Sequence, residues 1–265
     1  MNPWRWQTWQ TFPYLTCTLL EDFPHGFFTQ HFGARLPAEL VQILHPVAQA
    51  YRVKQVHGNV VLSPSELEKQ ASQGESPLSE ADGLVTEQEN QAVWACSADC
   101  TPVLIADLAT GAVAAVHAGW RGTAAGIVPR AIARLVTQGS QLSNLRIAMG
   151  PAIAGEVYQV STIVAAQVTA SLFATEGLDS DEAILAAVKQ LPQSPILSDP
   201  QPGRVKLDVR RVNALQLGRL GIRAEQVAIA PYCTYQTPEH FFSYRRDRQK
   251  KVQWSGIVSR ASLAS

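Results

Sequence analysis

The chain has 265 residues, of which 46% are apolar and 17% charged, a composition that supports a large buried core and excludes intrinsic disorder. Its 22 basic and 22 acidic residues cancel, so no long-range field of one sign exists to attract nucleic acid or an anionic membrane. The longest run without an acid or base, Val157 to Thr175, carries too many Gln, Ser and Thr residues for a membrane span.

In chain order, the N-terminal ten residues hold three Trp and one Arg and do not resemble a secretory signal. Cys17, Cys96, Cys100 and Cys233 lack C-x-x-C spacing, which predicts reduced thiols in a cytoplasmic protein. Short apolar runs at Ala92–Cys96, Val103–Asp107 and Ala112–His117 predict strands buried on both faces. Thr123 is the expected cap of a helix that buries Ile127, Ala131, Ile132 and Leu135, with Pro129 in its first turns.

Leu145–Met149 is a further expected strand, and the four-residue recurrence of Val160, Val164, Val168 and Leu172 predicts a buried amphipathic helix. Gly177 to Arg204 is rich in Asp, Ser, Pro and Gly. Residues 193–204 of it read as a loop excursion from one domain spanning residues 1–265. Asp208 is the expected cap of another helix, with Val212, Leu215 and Leu220 near one face and Gly221 just past its end. Gln226–Ala230 follows as a strand, and Phe241–Tyr244 with Trp254–Ser259 read as a closing strand pair. Strands that are adjacent in some places and separated by helices in others predict an α+β fold.

Three side chains end or follow apolar strands in segments that suit metal chemistry: His57, Cys100 and His117. Two imidazoles and one thiolate leave a fourth position open, as in a catalytic zinc site, and such a metal lowers the pKa of bound water to about 7. Their separations match no short metal signature, and Cys100 and His117 fit equally well as buried core residues. The same atoms also suit a Cys-His hydrolase with Cys100 as nucleophile, His117 as base and Asp99 as an orienting group. Gly119-Trp120-Arg121-Gly122, between a strand and a helix, offers backbone N–H groups and the Arg121 fork to an anion such as phosphate. Phe241 to Asp247 sets aromatic faces beside hydroxyl and guanidinium groups, a mix suited to a base or sugar-phosphate. His25, His31, His45 and His240 have no comparable setting.

Eight blocks stand in order along the chain: His25-Gly26-Phe27, Gln55-Val56-His57-Gly58, Ala81-Asp82-Gly83-Leu84-Val85-Thr86, Ala98-Asp99-Cys100-Thr101-Pro102-Val103, Val116-His117-Ala118-Gly119-Trp120-Arg121-Gly122, Gly150-Pro151-Ala152-Ile153, Cys233-Thr234 and Phe242-Ser243-Tyr244-Arg245-Arg246. Together they resemble the YfiH-type laccase-domain family, also called peptidoglycan editing factor or polyphenol oxidase-like proteins. The resemblance implies a layered α/β sandwich with mixed β-sheets, related to a toxin deamidase that uses a Cys-His pair. It implies a metal, usually zinc, on His57, Cys100 and His117, in a monomeric cytoplasmic enzyme.

The implied reactions are phosphorolysis of adenosine, inosine, guanosine or methylthioadenosine to base and pentose 1-phosphate, and deamination of adenosine. Under that reading Arg121 and Arg245 are candidate phosphate ligands, and Phe242 and Tyr244 line the base. Asp99 is the candidate for proton transfer, since it adjoins a metal ligand whose charge would set its pKa. The editing-factor name implies another role, binding a cell-wall precursor. A four-copper laccase would need about ten imidazoles, whereas this chain has six His, so copper is expected only as an adventitious occupant. Two positions depart from the family pattern: Gln30 stands where Arg is common, and Gln159 where Glu is usual.

Overall fold

The computed structural model describes residues 2–73, 78–173 and 178–262, so Thr175 and Gly177, which bound two of the segments above, lie outside the described residues. The strands are β1 (Trp4–Trp9), β2 (Phe12–Cys17), β3 (His25–Phe28), β4 (Gln49–Tyr51), β5 (Val61–Leu62), β6 (Gly83–Val85), β7 (Gln91–Ser97), β8 (Thr101–Asp107), β9 (Val113–Ala118), β10 (Leu145–Met149), β11 (Gln159–Ser161), β12 (Ile196–Leu197), β13 (Arg204–Leu207), β14 (Val227–Ile229) and β15 (Gln253–Val258). The α-helices are α1 (Pro37–Leu44), α2 (Pro64–Ser72), α3 (Trp120–Ala124), α4 (Ile127–Thr137), α5 (Thr162–Ala170), α6 (Asp181–Lys189), α7 (Val209–Arg219) and α8 (Tyr244–Asp247).

Two six-stranded mixed sheets, ordered β1-β2-β3-β15-β7-β4 and β14-β10-β8-β9-β6-β5, stack face to face. Leu15, Phe27, Val93 and Ile257 of the first meet Leu104, Ala115 and Ala148 of the second in one buried cluster. The outer face of the second sheet buries Val103, Ile105 and Ile147 under Ile127, Ala131 and Leu135 of α4 and Leu217 of α7. That double coverage explains why β8 and β9 read as unbroken apolar runs: every residue of both is buried. On the far side of the first sheet, Leu40 and Val41 of α1 pack with Phe28, Phe32 and Trp94. A small antiparallel sheet, β11-β13-β12, joins α5, α6 and α7 around Val160, Val168, Leu185 and Leu207. The result is a layered α+β sandwich with mixed sheets.

Four local expectations need correction. Thr123 lies inside α3, buried, with its hydroxyl accepting from Asn213 Nδ2 at 3.1 Å. The helix that follows starts at Gly126, whose φ of +72° suits glycine, and Pro129 sits in its first turn. Val160 belongs to β11, and α5 begins after Ser161, whose hydroxyl accepts from Val164 N. On α7 the buried face is partly polar, because Asn213 and Gln216 bond to Thr123, while Leu220 is exposed. Phe241–Tyr244 is not a strand: Ser243 caps α8 by accepting from Arg246 N, and β15 pairs instead with β3 and β7. Within the segment read as an excursion, β12 pairs with β13 and buries Ile196. Asp208 does cap α7, accepting from Arg211 N at 3.0 Å, and Gly221 follows with φ +90°.

Candidate metal centre

The second sheet brings the three candidate ligands together through its register. His117 is the penultimate residue of β9; on one side β8 begins just after Cys100, and on the other Asp82 immediately precedes β6. His57 lies in the loop that leads into β5, next to β6. The ligand atoms of His57, Cys100 and His117 all lie within 4.8 Å of one another. They are the sole group of three or more His, Cys, Asp and Glu side chains among the described residues so arranged.

Asp82, which residue type alone did not single out, organises this group. Its buried carboxylate accepts from His117 Nδ1 at 2.8 Å and from the backbone N–H groups of Val56, His57 and Gly58 at 3.2, 2.9 and 2.7 Å. One carboxylate therefore orients one imidazole and holds the loop that carries the other. His57 itself has φ +62°, an uncommon conformation for a residue with a side chain, and the three N–H bonds to Asp82 fix it there. Gln55 adds a second anchor, pairing its amide with both the N–H and the C=O of Cys96 at 2.8 Å each.

The electrostatics match a ligand set. Burial raises the Cys100 thiol, but the facing His117 and hydrogen bonds from His117 and His57 outweigh it and hold Cys100 down at about 6. For His117, burial opposes the charge, yet the Cys100 thiolate and Asp82 push the imidazole up to about 9. Asp82 stays below the usual carboxylate range because the His117 bond and the loop N–H groups outweigh its burial. Cys96, which lines the same cavity, is pushed up by burial to about 11, so of these two thiols Cys100 is the one poised as a thiolate.

The donors suit zinc or a similar borderline ion. With His117 Nδ1 engaged by Asp82, Nε2 is left for the metal, in the carboxylate–histidine pattern of metal sites. Held by two imidazoles and one thiolate, such an ion would keep a further position open. The backbone also fits: a Cβ placed on Gly119 would come within 2.9 Å of Cys100 Sγ and 3.3 Å of His57 Cδ2, so glycine lets the chain pass directly behind the ligands.

The group opens into a cavity of about 480 Å³ whose wall includes Asp99, Tyr158, Tyr244 and Arg245. Asp99, at φ +89°, accepts from Thr234 Oγ1 at 2.7 Å and from Arg245 N at 2.6 Å. Arg245 donates from Nη1 to Gln159 O at 2.9 Å and lies 4.8 Å above the ring of Tyr158. Tyr158, another residue not singled out from sequence, is pushed up to about 12 by burial and the nearby Cys100. Phe242 lines a neighbouring depression with Gln30, and Arg121 is exposed, stacked 4.3 Å over Trp120, so neither borders the main cavity. Gln30 donates to Pro238 O at 2.6 Å, and Gln159 donates from Nε2 to both oxygens of Asp199 at 3.0 and 3.1 Å.

Fold and ligand set together define an α+β protein with, among the described residues, one candidate metal centre made of two His and one Cys. The chain belongs to the multi-copper polyphenol oxidoreductase laccase family, whose family model matches residues 36–260. It is 50% identical over 256 residues to a purine nucleoside phosphorylase of Synechocystis sp., covering 97% of each chain. It is 29% identical over 209 residues to the purine nucleoside phosphorylase YlmD of Bacillus subtilis, covering 77% of this chain and 68% of that protein. Among solved structures, the YfiH protein of Bacillus licheniformis superposes with a TM-score of 0.78 at 24% identity, covering 98% of this chain and 100% of the other. YlmD of Geobacillus stearothermophilus gives 0.76 at 24% identity, covering 96% and 98%. These place the chain in the YfiH-type group. The other four His residues do not join the centre: His25, for one, is taken up by Cys17 N and Phe23 O.

Proposed function

We propose that the protein is a zinc-dependent purine nucleoside phosphorylase that also deaminates adenosine. The observation that carries this reading is the His57, Cys100 and His117 group opening into a cavity walled by Tyr158, Tyr244 and Arg245. The 50% identity to a protein named for that activity supports it. Bound at this group, zinc would supply Lewis-acid character beside the substrate.

The remaining work falls to side chains. Tyr158 and Tyr244 offer aromatic faces to the purine, and Arg245 a fixed guanidinium to phosphate. In phosphorolysis the bond from C1′ to the base nitrogen breaks and a phosphate oxygen bonds C1′. The proton of hydrogen phosphate passes to the departing base, a transfer we assign to Asp99. Hydrogen bonds at both oxygens hold Asp99 in the cavity wall. In deamination, water adds at the purine carbon that bears the amine and ammonia leaves. Arg121 and Phe242, one step removed from the cavity, take part through the arrival of phosphate and base. The proposal places the enzyme in the cytoplasm as a monomer; among the described residues no helix is long and apolar enough to cross a membrane.

The test is to incubate zinc-loaded protein with adenosine, with and without phosphate, and to resolve products by chromatography with mass detection. Adenine and ribose 1-phosphate that require phosphate, together with inosine under both conditions, are expected. Unchanged adenosine in both would refute the reading.

A second reading has its own observation: Cys100, His117 and Asp82 form a nucleophile–base–carboxylate chain, the arrangement of a Cys-His hydrolase. Activity that survives chelation and is abolished by alkylation of Cys100 would establish it.

A further inference from the structure

The cavity mouth is positively charged in a chain whose net charge is zero. Between Arg245 and Lys251 the sequence carries five cations and one acid. Most of these charges are already engaged. Arg246 holds Asp247, Thr234 O and Phe241 O. Arg245 is fixed on Gln159 O and Tyr158, and Arg248 lies 5.9 Å over the ring of Tyr244. Lys250 and Lys251 are both exposed, both line the cavity, and neither forms an ion pair or donates to a protein carbonyl in a contact comparable to those of Arg245 and Arg246 among the described residues; Lys251 Nζ lies 5.8 Å over the ring of Phe242, a contact that leaves its ammonium open to an anion.

Among the described residues Asp99 is the single carboxylate bordering that cavity, and it is occupied by Thr234 and the Arg245 N–H. Asp247 borders the neighbouring depression that Lys251 also lines, and both its oxygens are held by Arg246, so neither carboxylate forms an ion pair with the two lysines. Unpaired ammonium groups at the mouth of a concave site focus a positive potential on whatever enters. Phosphoryl oxygens are the chemistry that two point charges of this kind recognise without demanding planar geometry.

We propose that Lys250 and Lys251 form a subsite for a phosphoryl group at the cavity mouth, in addition to the metal centre and Arg245. The subsite takes either free phosphate on its way to the sugar or a phosphoryl group carried by the purine ligand itself at its 5′ oxygen. This inference rests on the nucleoside reading for the identity of the purine ligand, whereas the phosphoryl recognition itself does not.

Calorimetric titration of the full-length, zinc-loaded protein with inorganic phosphate, adenosine and adenosine 5′-monophosphate tests it, alongside the Lys250→Gln/Lys251→Gln variant. Both positions are exposed, and an unchanged melting temperature verifies that the variant is folded. Loss of two such charges is expected to weaken phosphate-bearing probes about tenfold while adenosine is unaffected. The Lys250→Arg/Lys251→Arg variant should retain most of the affinity. Lysine-dependent phosphate binding with the monophosphate no tighter than adenosine assigns the subsite to the free anion. A lysine-dependent gain of the monophosphate over adenosine assigns it to the ligand's own phosphoryl group. If phosphate binds in a lysine-dependent way and neither purine binds, the subsite stands and the nucleoside reading falls. Phosphate-bearing probes that bind wild type and variant equally, or do not bind at all, overturn the subsite whatever adenosine does.

Discussion

Asp82 and His117 share a 2.8 Å hydrogen bond between two buried side chains, and the same carboxylate accepts three consecutive N–H groups of the loop bearing His57. The position of one ligand and the orientation of another thus depend on one residue that would not itself touch the metal.

Asp82→Asn should consequently fold yet bind metal poorly. An amide can accept at one atom only, so either the His117 bond or part of the loop is lost. Metal affinity is expected to fall ~10–100-fold, the range for second-layer partners of ligating His. Competition with a chromogenic chelator measures it, and wild-type affinity in the variant would remove Asp82 from the centre.

The metal-free protein should hold Cys100 as a thiolate at neutral pH, since its pKa is depressed to about 6 and that of His117 raised to about 9. With its pKa depressed, the Cys100 thiolate is present above about 6 and is lost as pH falls through that value. Alkylation of Cys100 in chelated protein should therefore stay fast from pH 7 upward and slow in step with protonation below about 6. In His117→Gln the midpoint should move up toward that of an ordinary thiol, ~8.5. An ordinary midpoint in the wild type would show that the pair is not formed.

Gly119→Ala should disable the centre while leaving the sandwich intact, because its Cβ would press on Cys100 Sγ at 2.9 Å and on His57. Gly122→Ala acts from within α3, just beyond Gly119, where its Cβ would meet Gly58 O at 2.8 Å. A misplacement near 1 Å typically costs ~100-fold in rate. Circular dichroism with product assays separates the two effects; full activity in both variants would contradict the packing described.

Much of the sandwich was legible because its central strands are covered on both faces. β7, β8, β9 and β10 are short apolar runs with no alternation to confuse the reading; β10 has the expected bounds, and those of the other three differ from expectation by at most two residues. The β1–β2 hairpin was not seen: four successive residues of β1, Arg5 to Thr8, are exposed, so no buried periodicity marks it. Phe241–Tyr244 misled in the opposite direction. Aromatic content suggested a strand, while the deciding feature was the Ser243 hydroxyl capping the turn of Tyr244–Asp247. His57, Cys100 and His117 were visible as candidates by type. Asp82 was not, since an Asp before Gly at the start of a strand reads as a turn; its role depends on β6–β9 pairing, which local pattern does not reveal. Tyr158 lies outside every regular element and reaches the cavity through the small sheet.

Gln159 shows how a departure from the family pattern is accommodated. Its amide donates to both oxygens of Asp199, whose carboxylate is held low first by the Gln201 N–H and further by this bond. Gln159→Glu would set two carboxylates against each other on β11, the strand whose Gln159 O anchors Arg245. A lower melting temperature and weaker phosphate dependence are expected, both relieved by high salt and by adding Asp199→Asn. A variant as stable as wild type at low salt would contradict this.

In the proposed function, one metal ion on His57, Cys100 and His117 makes the protein a purine nucleoside enzyme. Titration of chelated protein with zinc, following bound metal and adenine release in the presence of phosphate, measures that dependence. Turnover should rise linearly and stop at one equivalent per chain, with neither binding nor turnover in Cys100→Ser. Turnover that is complete before zinc is added, or absent at full occupancy, would show that the metal centre does not drive the reaction.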